Sequence, residues 1–162
     1  MAVPADGAGI KISTSTNDTN YAIITLDRAE NWIFENADPV ELTSDDIRDI
    51  DEILCKCINN YNLEQEKRFD ALQQQYPEQY FDKTHRIIDL NRYKRQYVAV
   101  LNEYHAKEVW VNCVCDNDDW DWKTKIILVK NGERCFFQLK MNLASKEYYD
   151  FVVNGKSIDN DL

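Results

Sequence analysis

Tyr93-Lys94-Arg95-Gln96-Tyr97-Val98-Ala99-Val100-Leu101 and Glu108-Val109-Trp110-Val111-Asn112-Cys113-Val114-Cys115 are two runs rich in β-branched and aromatic residues. Only the polar stretch Asn102-Glu103-Tyr104-His105-Ala106-Lys107 separates them. Two such runs joined by a short polar connection read as an antiparallel hairpin. Downstream, Lys125–Lys130 and Arg134–Leu143 flank Asn131-Gly132-Glu133. Asn-Gly is the strongest short hairpin signal because both residues tolerate positive φ. In the second arm Cys135, Phe137, Leu139, Met141 and Leu143 fall on one face, and Gln138, Lys140 and Asn142 on the other. Tyr148–Val153 supplies a last strand, and the weaker alternation of Tyr21–Leu26 a first one. Trp32 and Phe34 read as plugs for one edge of the core. The pattern predicts an antiparallel meander of four to five strands.

Upstream of the meander the period is helical. Thr43 is a good N-cap, Asp45 and Asp46 complement the positive helix end, and Leu42 with Ile47 forms a hydrophobic staple. Ile47, Ile50, Ile53, Leu54, Cys57, Ile58 and Tyr61 make one apolar stripe, so a helix is expected over about 43–61. A second, weaker helix is expected over 63–76, where Phe69, Leu72 and Tyr76 share a face and Pro77 ends it. The chain thus reads as an α+β fold with helices packed on one side of a sheet. That arrangement resembles cystatin-like or NTF2-like folds, which host inhibitors, carriers and enzymes alike. Residues 1–20 read as a flexible arm, 21–155 as a single α+β domain and 156–162 as a polar tail.

The 162 residues carry a net charge of −10, with a pI near 4.6. That balance argues against nucleic acid, whose binding needs Lys and Arg to neutralise phosphates, and against anionic membranes. It suits a basic protein partner. No run approaches the ~18 apolar residues of a membrane span. The start lacks the basic and apolar regions of a signal peptide, so a cytoplasmic chain with reduced thiols is expected. The alternative is an exported protein whose leader has been removed, and paired cysteines would mark it. Five cysteines do not make a complete disulfide framework.

No motif for catalysis stands out. Cys55 and Cys57 lie two apart on a helix and face different ways. Cys113 and Cys115 share a strand face with Cys135 on a nearby strand, but Cys-x-Cys within a strand is poor zinc geometry, so packing in the core is expected. No metal and no cofactor is therefore expected. His85 beside Asp89 is a candidate acid/base pair only if both line a pocket, while His105 falls in the hairpin turn. The one basic island spans Lys83 to Arg95, and His85, Arg86, Arg92 and Arg95 are its candidates for contact with an anion or ligand. The plainer reading is that it pairs with the acidic helix face at 45–52 or stays solvated. Arg95, between Tyr93 and Tyr97 on one strand face, reads as a recognition residue or as a guard on an edge strand.

The segment Asp116-Asn117-Asp118-Asp119-Trp120-Asp121-Trp122 sets four carboxylates and two indoles between strands. One reading folds the indoles back on the sheet, with the Asp residues serving the turn. The other makes Asp116, Asp118, Asp119, Trp120, Asp121 and Trp122 a partner-binding surface: Trp dominates interface hot spots, and carboxylates steer a basic partner.

The segment Asp89-Leu90-Asn91-Arg92-Tyr93-Lys94-Arg95-Gln96-Tyr97, with Val109–Cys113, Phe137–Leu143 and Tyr148–Phe151, resembles a family of small uncharacterised bacterial proteins. The resemblance covers mainly residues 89–155. It implies a bacterial α+β domain and carries no activity. Together these features point to a non-enzymatic acidic binding module, most naturally an immunity or inhibitor protein for a basic bacterial toxin or enzyme. The alternative is a cone-shaped ligand binder or small enzyme, its pocket between helix and sheet lined by Tyr97, Trp110 and residues near His85. An exposed sheet face bearing Phe136, Tyr97 or Trp110 would add a homodimer.

Overall fold

The computed structural model describes residues 20–26, 31–85, 87–116, 119–128 and 135–153. The expected arm (apart from Asn20), the polar tail and the Asn131-Gly132 turn lie outside them. The elements are β1 (Tyr21–Ile23), β2 (Asp38–Pro39), α1 (Ser44–Gln75), β3 (Tyr93–Leu101), β4 (Lys107–Cys115), β5 (Phe136–Asn142) and β6 (Glu147–Val153). They make an α+β fold, with one main helix packed on one mixed sheet.

The strand order is β1-β3-β4-β5-β6, with β2 also paired to β3. The β3–β4 hairpin turns at Asn102–Ala106, where the Asn102 carboxamide accepts from the amides of Tyr104 and Ala106. His105 sits there at φ 61°, a turn residue. This turn sets Tyr93 opposite Cys115 and Gln96 opposite Asn112. β4, β5 and β6 continue antiparallel. The sheet departs from the expected antiparallel meander at its start, because β1 runs parallel to β3. Parallel neighbours need a long crossover, and the chain between them contains β2 and the whole of α1. β3 is consequently an inner strand, and Arg95 does not guard an edge.

A second departure concerns the helix. One uninterrupted α1 of 32 residues replaces the two helices expected over 43–61 and 63–76. At 1.5 Å per residue it runs about 48 Å. The apolar stripe fades after Tyr61 because polar residues take over its positions. Gln65 is 2% exposed, and Asn62 donates to the Ile88 carbonyl and accepts from the Ile88 amide, both at 2.9 Å. The returning segment thus lies along the helix, and Phe69 meets Phe81 edge-on with ring centroids 6.4 Å apart. With neither Gly nor Pro at 61–63, nothing local stops the helix before Pro77.

The sheet buries residues on both faces. Toward α1, Ile50, Ile53, Leu54, Cys57 and Ile58 meet Tyr97, Val109, Val111, Phe137, Leu139 and Met141 in one continuous core. At β6 the ladder shifts between Gln138 and Lys140. Asp150, at φ 53°, is the extra residue, so that Tyr148 and Phe151 both pack on the helix side. On the opposite face Val98, Val100 and Trp110 pack with Leu26, Ile33 and Phe34. Tyr97 and Trp110 therefore line no common pocket, since they lie in separate cores on opposite faces. Phe136, Tyr97 and Trp110 are all buried, so the exposed face that suggested a homodimer is covered.

Three ion pairs fix the first half of α1 on the sheet: Asp46–Lys107 at 2.6 Å, Asp49–Lys146 at 2.5 Å and Asp51–Arg95 at 2.6 Å. Asp46 also closes a capping box, its carboxylate accepting from the Thr43 amide while Thr43 Oγ1 accepts from the Asp46 amide. Burial works to raise the Asp46 pKa, but the hydrogen bonds from Lys107 and Thr43 outweigh it and hold the carboxyl below its ordinary value of 3.8. A folded-state pKa below the unfolded one stabilises the fold above the unfolded value, and that stability is lost as pH falls through the folded one. Asp46→Asn is therefore expected to cost about 1–2 kcal/mol at neutral pH. Its deficit in urea midpoint should shrink as pH drops below ~4. A deficit that stays constant down to pH 2 would show that the carboxylate's charge contributes nothing.

Candidate functional site: the loop on the second sheet face

Two carboxamides stand where this sheet face would otherwise be apolar. Gln96 and Asn112 are both 0% exposed and directly opposite each other. Buried amides need partners, and the chain between β4 and β5 supplies them to Gln96 and to the Asn112 amide nitrogen, while Asn112 Oδ1 finds none among the described residues. Gln96 Nε2 donates to the carbonyls of Trp122 and Lys125. Gln96 Oε1 accepts from Asn112 Nδ2 at 2.9 Å and from the Ile127 amide at 3.0 Å. Asn112 Nδ2 also donates to the Ile127 carbonyl at 2.7 Å. Gln96 thus uses both donors and both acceptor positions of its carboxamide. Backbone that runs off the end of β4 is pinned across the sheet by side chains.

This arrangement replaces the expected strand at Lys125–Lys130. Within its described part, residues 125–128 form no ladder, and β5 pairs directly with β4. Ile126 packs into the second core. Of the apolar residues that read as a strand, Ile126 serves as a cover, while Leu128 is exposed.

The two indoles are half-buried. Trp120 lies against Phe136 with centroids 5.2 Å apart. Trp122 has Lys94 Nζ 5.4 Å and Lys123 Nζ 5.7 Å from its ring centre, within cation–π range. Asp121 builds the turn after it: its carboxylate accepts from Thr124 Oγ1 at 2.5 Å, and its carbonyl accepts from the Lys125 amide at 3.1 Å. Asp116 lies 3.9 Å from Lys94 Nζ, and its amide donates to the Arg92 carbonyl. Asp116, Asp119 and Asp121 are exposed, whereas Asp118 lies outside the described residues. The loop therefore presents carboxylates interleaved with lysines.

At its neck the loop is closed covalently. Cys115 and Cys135 form a disulfide with their Cα atoms 4.8 Å apart, within the usual range. This corrects the expectation of reduced, core-packed cysteines. Each cysteine sits one position beyond the Val114–Phe136 pair, the last rung of the β4–β5 ladder, so that the register brings the two thiols together. Closing a 20-residue separation stabilises by about 3 kcal/mol on the chain-entropy account. Cys57 and Cys113 stay free and buried, and burial pushes both thiols up to about 12. Among the described residues no three His, Cys, Asp or Glu side chains converge to hold a metal ion.

Among its described residues the basic island does not assemble into one site. Arg95 is turned under α1 against Asp51 and beside Tyr97. Burial works to lower its pKa, but Tyr97, Cys113 and Asp51 raise it on balance, so its charge is committed to the core. Arg92 projects into solvent 3.8 Å from Asp89. His85 ends a short turn at Lys83–His85, and Arg86 lies outside the described residues. Asp89 caps the next turn, accepting from the Asn91 amide at 3.1 Å. Sequence reading passed over Gln96 and Asn112, although a hairpin centred on Tyr104 already places them opposite each other.

No family model, no curated protein and no solved structure matches the chain. Among the described residues no helix is long and apolar enough to cross a membrane.

Gln96→Leu keeps the volume but strands the carbonyls of Trp122 and Lys125 and the Ile127 amide. It is expected to cost about 2–4 kcal/mol in chemical denaturation. It should also speed hydrogen exchange at Ile127. A loss below ~0.5 kcal/mol with unchanged exchange would remove the amide pair as the loop's anchor.

Proposed function

We propose that the chain is a non-enzymatic binding module whose 116–125 loop docks a basic protein partner, and that its task is to inhibit or confer immunity to a basic bacterial toxin or enzyme. One observation carries this reading. The loop is held by the disulfide at its neck, the amide pair beneath it and Phe136 beside it, while Asp116, Asp119 and Asp121 remain exposed. A surface ordered before binding avoids the loop-ordering part of the entropic cost of docking. The chain's net charge of −10 would draw in a basic partner, and the lysines beside Trp122 would set its register.

The filled interior between α1 and the sheet favours this reading over the ligand-binding cone, for which Tyr97 and Trp110 would have to share a cavity. For the same reason the fold likeness we carry forward is cystatin-like, with one helix laid across the antiparallel β3–β6 part of a mixed sheet. The disulfide supports placing the protein in an oxidising compartment, as an exported chain, since cytoplasmic thiols are kept reduced. Bacterial origin belongs to the same proposal.

The test is affinity capture at low salt from cells that make the protein, with Asp116→Lys/Asp119→Lys as the comparison. A basic protein held by the native chain should bind the variant at least tenfold more weakly, about 1.4 kcal/mol, with circular dichroism unchanged. Equal retention by both would contradict the proposal.

A further inference from the structure

We infer that oxidation of Cys115 and Cys135 is the step that seats the 119–128 segment on the sheet, so that the Trp120–Trp122 surface is assembled only after the chain meets a disulfide oxidant. This goes beyond the partner reading and does not depend on it.

Three observations bear on it. The segment has no strand partner: its described backbone is tied down chiefly through two side chains, Gln96 and Asn112. Side-chain anchors of this kind act only when the segment is already close by. The disulfide supplies that closeness at the one point where leaving β4 and entering β5 are in register. For a separation of 20 residues the chain-entropy account gives an advantage of about two-hundredfold in closing the loop. The pairing is also set by the register, since the exposed free thiol, Cys55, lies on α1 and not at this end of the sheet. Cys115 and Cys135 are half-buried at the sheet's end, within reach of an oxidant. Cys113, the nearest thiol in sequence, is fully buried. With its pKa held near 12, it supplies almost no thiolate for exchange.

The chemistry balances as a thiol–disulfide exchange. Cys115 and Cys135 together release two electrons and two protons to a disulfide oxidant. The oxidant's S–S bond breaks to two thiols as the Cys115 Sγ–Cys135 Sγ bond forms.

The experiment is hydrogen exchange on the full chain prepared with oxidised glutathione and again under a dithiol reductant. Peptides covering 119–128 should exchange at least tenfold faster when reduced, with the Ile127 amide among the sites that accelerate. Peptides at the centres of β3 and β4, around Val98 and Val111, should not change. The Cys115→Ser/Cys135→Ser variant in oxidised glutathione should exchange like the reduced native chain. Should that variant not fold, the native pair of measurements decides alone. Exchange across 119–128 within twofold in both redox states would overturn the inference. So would oxidised protein in which both cysteines still alkylate.

Discussion

Two carboxamides facing each other in the middle of a sheet impose a demand that, among the described residues, the molecule meets at every polar atom but Asn112 Oδ1. Gln96 and Asn112 have no access to water, and an unpaired amide there costs about 1–3 kcal/mol. Neighbouring strands cannot help, because their backbone groups are spent in the ladder. The partners must come from a third segment crossing the sheet face, and residues 122–127 are that segment. A polar pair in a β-sheet core thereby specifies where an irregular loop lies, which apolar contact alone would do less selectively. The indoles, the aspartate turn and the disulfide neck are arranged around that crossing.

The helix face follows the opposite rule. There the contact is mainly apolar, and three charge pairs fasten it, one of them through the buried Arg95. Asp46, Asp49 and Asp51 each find a cation from a different part of the sheet: Lys107 on β4, Lys146 in the turn before β6, and Arg95 on β3. Apolar contact leaves a helix some freedom to slide and roll, and three tethers at separate points remove it. The basic residues that looked like a binding island are in part those tethers, which leaves the second face as the better candidate for recognition.

What could be read from the sequence divides along the same line. The boundaries of β3 followed from period two, and the start of α1 from Thr43 and its staple, because local chemistry decides both. The continuation of α1 through Asn62 and Gln65 was hidden, since these polar residues hold stripe positions for tertiary reasons. Parallel pairing of β1 with β3 leaves no mark in three residues. Ile126 is apolar because it covers a sheet face, and nothing local separates that from strand pairing. For the loop, the residue types were visible and the anchoring was not. Gln96 and Asn112 are single polar positions within strands, and nothing local shows that both faces of the sheet are covered there.

The account rests on the Gln96 carboxamide bonding to the loop backbone, which nuclear magnetic resonance can observe directly. Scalar couplings across hydrogen bonds would link Gln96 Nε2 to the carbonyl carbons of Trp122 and Lys125 in the oxidised chain. The account predicts both couplings, with side-chain amide protons that exchange slowly. Absent couplings together with exchange at the rate of a free glutamine would contradict it, and the loop would then lie on the sheet for another reason.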